Sequence, residues 1–329
     1  YKQDMISVRS QYVDDEMFLK PMNCPQHTQI FASKPRSYKD LPIRYSDFSV
    51  LYRDERPGEL SGLTRLRAFA QDDGHIFCRE DQIETEISNV LAVVQKALAT
   101  YKIDAWMRLS LRDANNKEKY IGEDSTWEQS QNIMRQLLVE KEIPFKEAEG
   151  EAAFYGPKID IMAVDALGRQ WQISTIQLDF VQPNRFKLEY TAQDGTKKTP
   201  VMIHRALVGS PDRFLGILIE HYGGNFPLWL SPTQISILPI ADAHHEYAKN
   251  VFDKLSEKDI RVELDDSKEG LGKKIRNTRE MKTPYWAVIG DAEVKNGTVT
   301  LEHRTEGKIG EIKIEDLVDR LQKEIIDKK

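Results

Sequence analysis

The sequence contains very few cysteines and no long hydrophobic run. Its two cysteines, Cys24 and Cys78, are too few for a disulfide-stabilised scaffold, and they favour a reducing compartment. No apolar stretch approaches the ~18 residues that a membrane span needs, so no transmembrane helix is predicted. The chain begins at Tyr1 without an initiator methionine or a signal-like segment, and we therefore expect a fragment or a processed chain.

A net positive charge is also absent. The chain has 47 lysines and arginines against 53 aspartates and glutamates, a formal net charge of −6, which excludes a uniformly basic, histone-like protein. A local basic surface can still act within an acidic protein, so nucleic acid stays open as a partner. Hydrophobic residues at 40% and charged residues at 30% are globular values, and 329 residues suit about two domains.

Hydrophobic periodicity predicts a first domain over residues 1–231. It mixes helix and strand signals with long polar connections. The predicted helices are 81–102 and 126–140, and the predicted strands are 107–111 and 158–164. The segment 226–232, in which two prolines bracket an aromatic stretch, is the predicted boundary.

Residues 232–329 have a different pattern, in which strands alternate with helices. Such alternation predicts a compact α/β domain with a mainly parallel central sheet. The predicted strands are 234–239, 261–264, 285–289 and 298–302, and the predicted helices are 241–258, 271–281 and 314–326.

Three residues with metal-ligating side chains lie in separate polar segments: Cys24, His75 and His204. One thiolate and two imidazoles can hold zinc and leave a fourth position for water or substrate, which is typical of a reactive site. Their wide separation matches no short zinc motif, so ordinary core or surface roles stay open from spacing alone. His27 is the alternative ligand. A zinc hydrolase is not favoured, because the sequence has no His-Glu-x-x-His.

Two arginine-containing segments indicate a phosphate site. Arg53 precedes a polar loop, and the strand predicted after that loop carries Arg65, Arg67, Phe69 and Gln71 on one face. Guanidinium groups beside an aromatic ring and an amide suit phosphates and a flat base. An exposed, salt-bridged hairpin would have the same pattern.

The second segment is a predicted junction between a strand and a helix. Gly209 and Ser210 lead to Pro211, which suits the first position of a helix. Arg213 would then lie in the first turn, where anions bind readily but a positive side chain is unfavourable by itself. This placement indicates a phosphate partner for Arg213, with an ordinary surface arginine as the alternative.

In the second domain, basic residues concentrate on and before one predicted helix. They are Lys268, Lys273, Lys274, Arg276 and Arg279. Such a face could bind a nucleic-acid backbone, and a solvated helix face is the alternative.

These segments resemble, in order, the catalytic core of the class II aminoacyl-tRNA synthetases, and in particular the threonyl-tRNA synthetase family. Arg53 and Glu55 resemble class II motif 2, and Gly209 to Arg213 resemble motif 3. The segments that resemble the threonine-specific enzymes are 20–25, 71–78, 154–160, 171–180 and 200–206. The chain from about 233 resembles the anticodon-binding domain of class IIa. The implied fold is an antiparallel sheet flanked by helices, followed by the smaller α/β domain.

The resemblance implies a threonine–tRNA ligase. Such an enzyme activates L-threonine with ATP to threonyl-adenylate and transfers the acyl group to the 3′-hydroxyl of the terminal adenosine of threonine tRNA. It uses Zn²⁺ to bind the threonine amino and hydroxyl groups and Mg²⁺ together with ATP. A catalytically silent, synthetase-like tRNA-binding protein is the alternative, but such relatives usually lack a zinc ligand or a motif arginine. The resemblance also implies a cytoplasmic or organellar-matrix location and no membrane partner.

The resemblance assigns residues to each implied site. The zinc ligands are Cys24, His75 and His204. The ATP contacts are Arg53, Glu55, Arg65, Phe69, Gln172 and Arg213, of which Arg53 and Arg213 are catalytic. The threonine contacts are Met22, Gln71, Asp73, Tyr155 and Gln177. The anticodon contacts are Lys268, Lys274, Arg276 and Glu293.

Within the implied ATP site, Arg53 would bind the α-phosphate and Arg65 the γ-phosphate of a bent ATP. Glu55 would bind the adenine amino group, and Phe69 and Arg213 would enclose the adenine ring. The glutamine at 172 would bind near the α-phosphate or the ribose.

The sequence departs from the family pattern in several places. Lys268 stands where the bacterial enzymes commonly have asparagine, and Glu302 stands where they commonly have a basic residue, so we expect Glu302 to repel an anticodon phosphate. Motif 1, the Gly-His-Trp segment and an editing domain are expected before residue 1, and none is found in this sequence. We therefore expect a truncated core, in which the family's homodimer would lack its usual interface.

Overall fold

The computed structural model describes residues 5–165 and 167–328. Contacts divide the chain into two compact units, of which the first ends at Ile217 and the second begins at Leu218. The predicted boundary, between 231 and 232, lies further along the chain. Within the described ranges, no helix has both the length and the apolar character needed to cross a membrane.

The described residues of the first unit form eleven strands and five α-helices, of which the last helix contains the boundary between the units. The strands are β1 (Ser7–Val8), β2 (Met17–Phe18), β3 (Ile43–Tyr52), β4 (Ala68–Cys78), β5 (Ala105–Leu111), β6 (Phe145–Glu149), β7 (Lys158–Val164), β8 (Gln170–Asp179), β9 (Tyr190–Thr191), β10 (Lys197–Lys198) and β11 (Val201–Ala206). The helices are α1 (Cys24–Ala32), α2 (Ile83–Tyr101), α3 (Asp124–Glu140), α4 (Gln182–Arg185) and α5 (Pro211–Tyr222).

Seven of these strands form one sheet in the order β3-β4-β11-β8-β7-β5-β6. Neighbours are antiparallel except for the β5–β6 pair. Helix α2 packs near β8 and β11 and buries Ile83, Ile87, Leu91 and Val94, the apolar stripe that its sequence predicts. The predicted antiparallel sheet with flanking helices is confirmed.

Strand β4 begins later than predicted, and this changes the position of two arginines. A turn at 61–65, in which the N–H groups of Thr64 and Arg65 donate to the Ser61 carbonyl, keeps Arg65 out of the strand. Arg67 also precedes β4, and its carbonyl accepts the N–H of Arg53. Alternation on one strand face therefore holds for Phe69 and Gln71 but not for the two arginines.

The second unit is built around a five-stranded sheet in the order β13-β12-β14-β15-β16. Its strands are β12 (Ile235–Pro239), β13 (Val262–Leu264), β14 (Tyr285–Ile289), β15 (Thr298–His303) and β16 (Gly307–Lys313). Its helices are α6 (His245–Ser256), α7 (Leu271–Glu280), α8 (Asp291–Asn296) and α9 (Ile314–Ile326). The three strands β13, β12 and β14 are parallel, as predicted, and the antiparallel hairpin β15–β16 extends the sheet at one edge.

Candidate active site

The central strands of the large sheet place three predicted site residues in one row. His75 on β4 lies opposite His204 on β11, and His204 lies opposite Gln177 on β8. Cys24, the first residue of α1, meets both imidazoles. Strand register therefore brings together residues that are far apart in the sequence. The short segments around these residues do not reveal which residues will lie opposite each other.

The thiol and the two imidazoles form a compact, buried set of donor atoms. Cys24 Sγ lies 3.3 Å from His75 Nε2 and 3.4 Å from His204 Nδ1. The three candidate ligand atoms all lie within 4.8 Å of one another. Two such ligands on one tetrahedral zinc ion would be about 3.5 Å apart, given usual Zn–S and Zn–N lengths. The donor types and their spacing fit zinc.

Each imidazole also uses its other ring nitrogen. His204 Nε2 lies 2.9 Å from Asp179 Oδ2, and His75 Nδ1 lies 2.7 Å from His27 Nδ1. The alternative ligand of the sequence analysis, His27, thus lies behind His75 rather than beside the thiol. Asp179 was not predicted as a site residue.

The charges around the Cys24, His75 and His204 set favour a bound cation. Burial opposes the protonation of His204, but the Cys24 thiolate and the Asp179 carboxylate raise its pKa to about 10. Burial lowers the pKa of His75 well below its ordinary value, and the positive charge of His204 lowers it further. The groups around His204 therefore favour a positive charge on or beside this ring.

A cavity of about 290 Å³ lies along the same face of the first unit. All six predicted ATP contacts line it: Arg53, Glu55, Arg65, Phe69, Gln172 and Arg213. Two predicted threonine contacts, Gln71 and Gln177, line it as well. Arg67, which the sequence pattern grouped with them, is exposed, does not line the cavity and donates from Nε to the Glu55 carbonyl.

Positive charge is crowded in this cavity. Burial lowers the pKa of Arg213, and the neighbouring Arg53 and Arg65 lower it further. Among the described residues, the buried Nε of Arg53 has no hydrogen-bond partner. Arg65 pairs with Glu55 at 2.8 Å. An anion such as a polyphosphate would satisfy both the unpaired donor and the excess charge.

Two glycines allow the backbone to pack closely around the cavity and the metal-ligand set. Gly209 has a φ of +67°, and a Cβ there would lie 2.9 Å from the carbonyl oxygen of Ile173. At Gly156 a Cβ would lie 1.9 Å from the carbonyl oxygen of Leu178. A side chain at either position would displace a strand β8 backbone that carries site residues.

The predicted threonine contacts surround the metal-ligand set. The Tyr155 ring stacks on His204 with ring centres 4.7 Å apart, and its hydroxyl donates to Gln177 Oε1. Asp73 is buried next to His75, and burial raises its pKa. Met22 is half-buried and packs against the apolar cluster that contains Cys24. It does not line the cavity.

Sequence reasoning missed Asp160 as a site residue. Its buried carboxylate accepts hydrogen bonds from Gln172 at 2.8 Å and from Thr175 at 3.0 Å, both of which line the cavity. Arg108, Ser110 and Lys158 contact its other oxygen. The available signal was a single acidic residue within the apolar run 159–164 of β7, because a buried carboxylate must have donors.

Two family models match the chain. The tRNA synthetase class II core domain (G, H, P, S and T) matches residues 5–222, and the anticodon binding domain matches residues 234–324. The chain belongs to the class II tRNA synthetases. The predicted family is confirmed.

Curated relatives of this synthetase are threonine–tRNA ligases. The one from Cytophaga hutchinsonii is 49% identical over 315 residues, which cover 94% of this chain and 48% of that protein. The one from Rubrobacter xylanophilus is 51% identical over 291 residues, which cover 88% of this chain and 45% of that protein. The chain thus spans about half the length of these relatives.

A solved structure has the same fold. It is the RNA binding domain of threonyl-tRNA synthetase from Cryptosporidium parvum Iowa II, with a TM-score of 0.91 and 38% identity. The match covers 98% of this chain and 80% of that chain. The recognition of the threonyl-tRNA synthetase family is therefore confirmed.

The synthetase's predicted anticodon contacts differ in accessibility. Arg276 is exposed and pairs with Glu280, and Lys268 is exposed as well. Lys274, in contrast, is only 2% exposed. The prediction that Lys274 belongs to an exposed RNA-binding face is wrong, because helix α7 turns this side chain into the domain. Its ammonium donates to the carbonyl oxygens of Pro239 and Asp265 at 3.2 and 2.8 Å.

Substitution of Lys274 by alanine is expected to destabilise the chain by about 1–3 kcal/mol, because two carbonyl groups lose their donor. Urea unfolding followed by tryptophan fluorescence measures this change. Lys273→Ala is the matched control, since Lys273 is exposed and pairs only with Glu269 among the contacts observed. A Lys274→Ala protein of unchanged stability but weakened RNA binding would contradict this assignment.

Glu293 and Glu302, the two acidic residues that the sequence analysis named in this domain, form hydrogen bonds within it. Glu293 accepts the N–H of Gly290 at 2.9 Å and the hydroxyl of Thr300 at 2.7 Å. Glu302 accepts the indole N–H of Trp286 at 3.1 Å and lies 4.0 Å from Arg279. Arg279 offsets part of the Glu302 charge, but an exposed pair at this distance contributes little, so the repulsion of an anticodon phosphate by Glu302 stays a prediction.

Proposed function

We propose that this chain carries the catalytic core and the anticodon-binding domain of a threonine–tRNA ligase. The observation that supports this proposal best is the position of the Cys24, His75 and His204 set next to the arginine-rich cavity. Gln177 connects the two, because it pairs with His204 across the sheet and also lines the cavity. A bound threonine would therefore have its amino and hydroxyl groups at the metal and its carboxylate near the phosphates of ATP.

Cys24, His75 and His204 would hold the zinc ion. When bound, zinc would supply a Lewis-acidic position for the threonine amino and hydroxyl groups. Tyr155 and Gln177 orient each other through their hydrogen bond beside this position, and both can then bind threonine. The Asp73 carboxylate could accept a hydrogen bond from an N–H of that amino group.

The arginines of the cavity would bind and align ATP. Arg53 would hold the α-phosphate, Arg65 the γ-phosphate, and Phe69 and Arg213 the adenine ring. The threonine carboxylate oxygen then attacks the α-phosphorus, a new P–O bond forms, and the bond to the β-phosphate oxygen breaks, with pyrophosphate leaving. No protein nucleophile is needed, so catalysis depends on alignment and on stabilisation of the phosphate charge. Magnesium bound with ATP would neutralise part of the pyrophosphate charge.

Threonyl-adenylate would next react with the 3′-hydroxyl of the terminal adenosine of threonine tRNA. That oxygen attacks the acyl carbon, AMP leaves, and the hydroxyl proton goes to solvent. Arg276 and Lys268 are the exposed predicted residues that could bind the anticodon arm. In the earlier reaction, the formation of threonyl-adenylate, Glu55 would bind the adenine amino group of ATP. This residue is half-buried beside Arg65.

Exchange of radioactive pyrophosphate into ATP, measured with a panel of amino acids, tests the proposal. Threonine is expected to support exchange, and valine is expected to be at least about 10,000-fold poorer, because a site built for a hydroxyl rejects its methyl analogue strongly. Serine keeps the hydroxyl but loses a methyl group, so its kcat/KM is expected to fall only about 10–200-fold.

Zinc quantified on the same sample completes the test. Exclusion of serine as strong as that of valine would show that recognition of the hydroxyl alone does not account for the selectivity of the site. A chain that binds tRNA but supports no exchange with any amino acid would instead be the silent, synthetase-like protein.

A further inference from the structure

Behind the candidate zinc ligands lies a second layer of buried polar residues. His204 directs Nδ1 at the Cys24 thiol and Nε2 at Asp179, whereas His75 directs Nε2 at the thiol and Nδ1 at His27. Asp179 is 0% exposed and His27 is 3% exposed. We infer that Asp179 and His27 are positioning residues that determine which ring nitrogen of each histidine is free to bind zinc. This inference rests on the proposed zinc site.

The orientation of Asp179 determines which ring nitrogen of His204 carries a hydrogen. Asp179 Oδ1 accepts the backbone N–H groups of Val181 and Gln182, both at 2.8 Å. Its Oδ2 can only accept a hydrogen bond while the carboxylate is ionised, so His204 Nε2 must carry the hydrogen that it donates. When a metal ion replaces the second proton of the ring, the lone pair that binds it is on Nδ1, which faces the thiol.

His27 has the corresponding effect on His75. Two neutral imidazoles whose nitrogens are 2.7 Å apart need one donor and one acceptor. If His75 Nε2 keeps its lone pair for zinc, Nδ1–H donates to His27 Nδ1. Helix α1 begins at Cys24, and His27 follows three residues later on the same face, so one helical turn supplies both a ligand and the support of another ligand.

Asp179→Asn tests the first half of the inference. The backbone donors of Val181 and Gln182 hold the amide oxygen where Oδ1 was, so the amide NH₂ must face His204 Nε2. That nitrogen would then have to accept, and the ring hydrogen would move to Nδ1, toward the metal. We expect the zinc dissociation constant, measured by competition with a chromogenic chelator, to rise about 10–100-fold.

His27→Phe tests the second half, because phenylalanine fills similar space without an acceptor. A comparable loss of zinc affinity is expected, and His27→Gln, which restores an acceptor oxygen, should recover part of it. The control is His244→Phe. His244 is buried in the second unit and hydrogen-bonds to Asp291, so this variant removes a similar pair without touching the zinc set.

Thermal unfolding separates positioning from a purely structural role. The stabilisation by zinc grows with the logarithm of the zinc concentration divided by the dissociation constant, so the positioning variants should show a smaller zinc-dependent rise in melting temperature. In excess chelator they should unfold near the wild-type temperature. Equal losses with and without zinc, or unchanged zinc affinity in Asp179→Asn and His27→Phe, would overturn this inference and leave the proposed function standing. A wild-type chain that binds no zinc would overturn both.

Discussion

Replacing Cys24 by serine is expected to abolish zinc binding and to reduce threonine-dependent pyrophosphate exchange about 1,000-fold, the effect of losing several kcal/mol of Lewis-acid stabilisation. Cys24 Sγ is the donor that both imidazoles approach, at 3.3 and 3.4 Å. Its removal leaves only two ligands, which are too few to hold zinc tightly. Zinc content by atomic absorption and the exchange rate, measured on one sample, check this result.

Cys78→Ala is the matched control, because it removes the other cysteine of the chain. Burial raises the pKa of Cys78 to about 12, so this thiol is inert and no metal ligand. We expect normal zinc content and exchange in this variant. Undiminished exchange in Cys24→Ser, or in wild-type chain stripped of zinc, would remove the metal from the proposed mechanism.

Replacing Arg213 by alanine is expected to lower exchange about 100–1,000-fold and to raise the KM for ATP, the usual cost of removing one preorganised charge partner. Arg213 lies in the first turn of α5 and lines the cavity with Arg53 and Arg65. Its pKa is lowered because it is buried near these two cations, and bound phosphates would relieve that repulsion. Zinc content should be retained, because Arg213 is not one of the candidate zinc ligands. Binding of tRNA should be largely retained, because Arg276 and Lys268, the exposed residues proposed to bind the anticodon arm, are in the second unit.

Arg67→Ala is the control that removes one positive charge near the cavity without removing a residue that lines it. Arg67 lies near the same loop but is exposed and outside the cavity, so its loss should leave ATP kinetics within about twofold, as for an ordinary surface substitution. Normal ATP kinetics in Arg213→Ala would contradict the assignment of this residue to ATP. An equal loss in both variants would indicate a general effect of net charge.

Regular elements with a strong apolar period were predictable to within a few residues. The helix predicted over 314–326 and the strand predicted over 285–289 have these bounds in the structure. The hairpin strand β16 and the short helix α8 were missed. Strand β16 is a half-exposed edge with an irregular burial pattern, so its sequence lacks the alternation that marks a strand.

Charge was a poorer guide than apolar periodicity. Lysines are usually solvated, and the basic run in α7 therefore indicated an exposed face. The structure buries Lys274 at the position where the carbonyl groups of Pro239 and Asp265 meet. Those acceptors are up to 35 residues away in the chain, so no local pattern could show them.

The sequence by itself determined the chemical groups of this protein: one thiol, two imidazoles and the motif arginines, in an order typical of one enzyme family. Tertiary structure decided how these groups are used. Strand register placed His75 beside His204, and hydrogen bonds selected the ring nitrogen that each turns toward Cys24. The physical reason is that register and hydrogen-bond direction depend on partners distant in the chain, whereas a motif records only which residues are present.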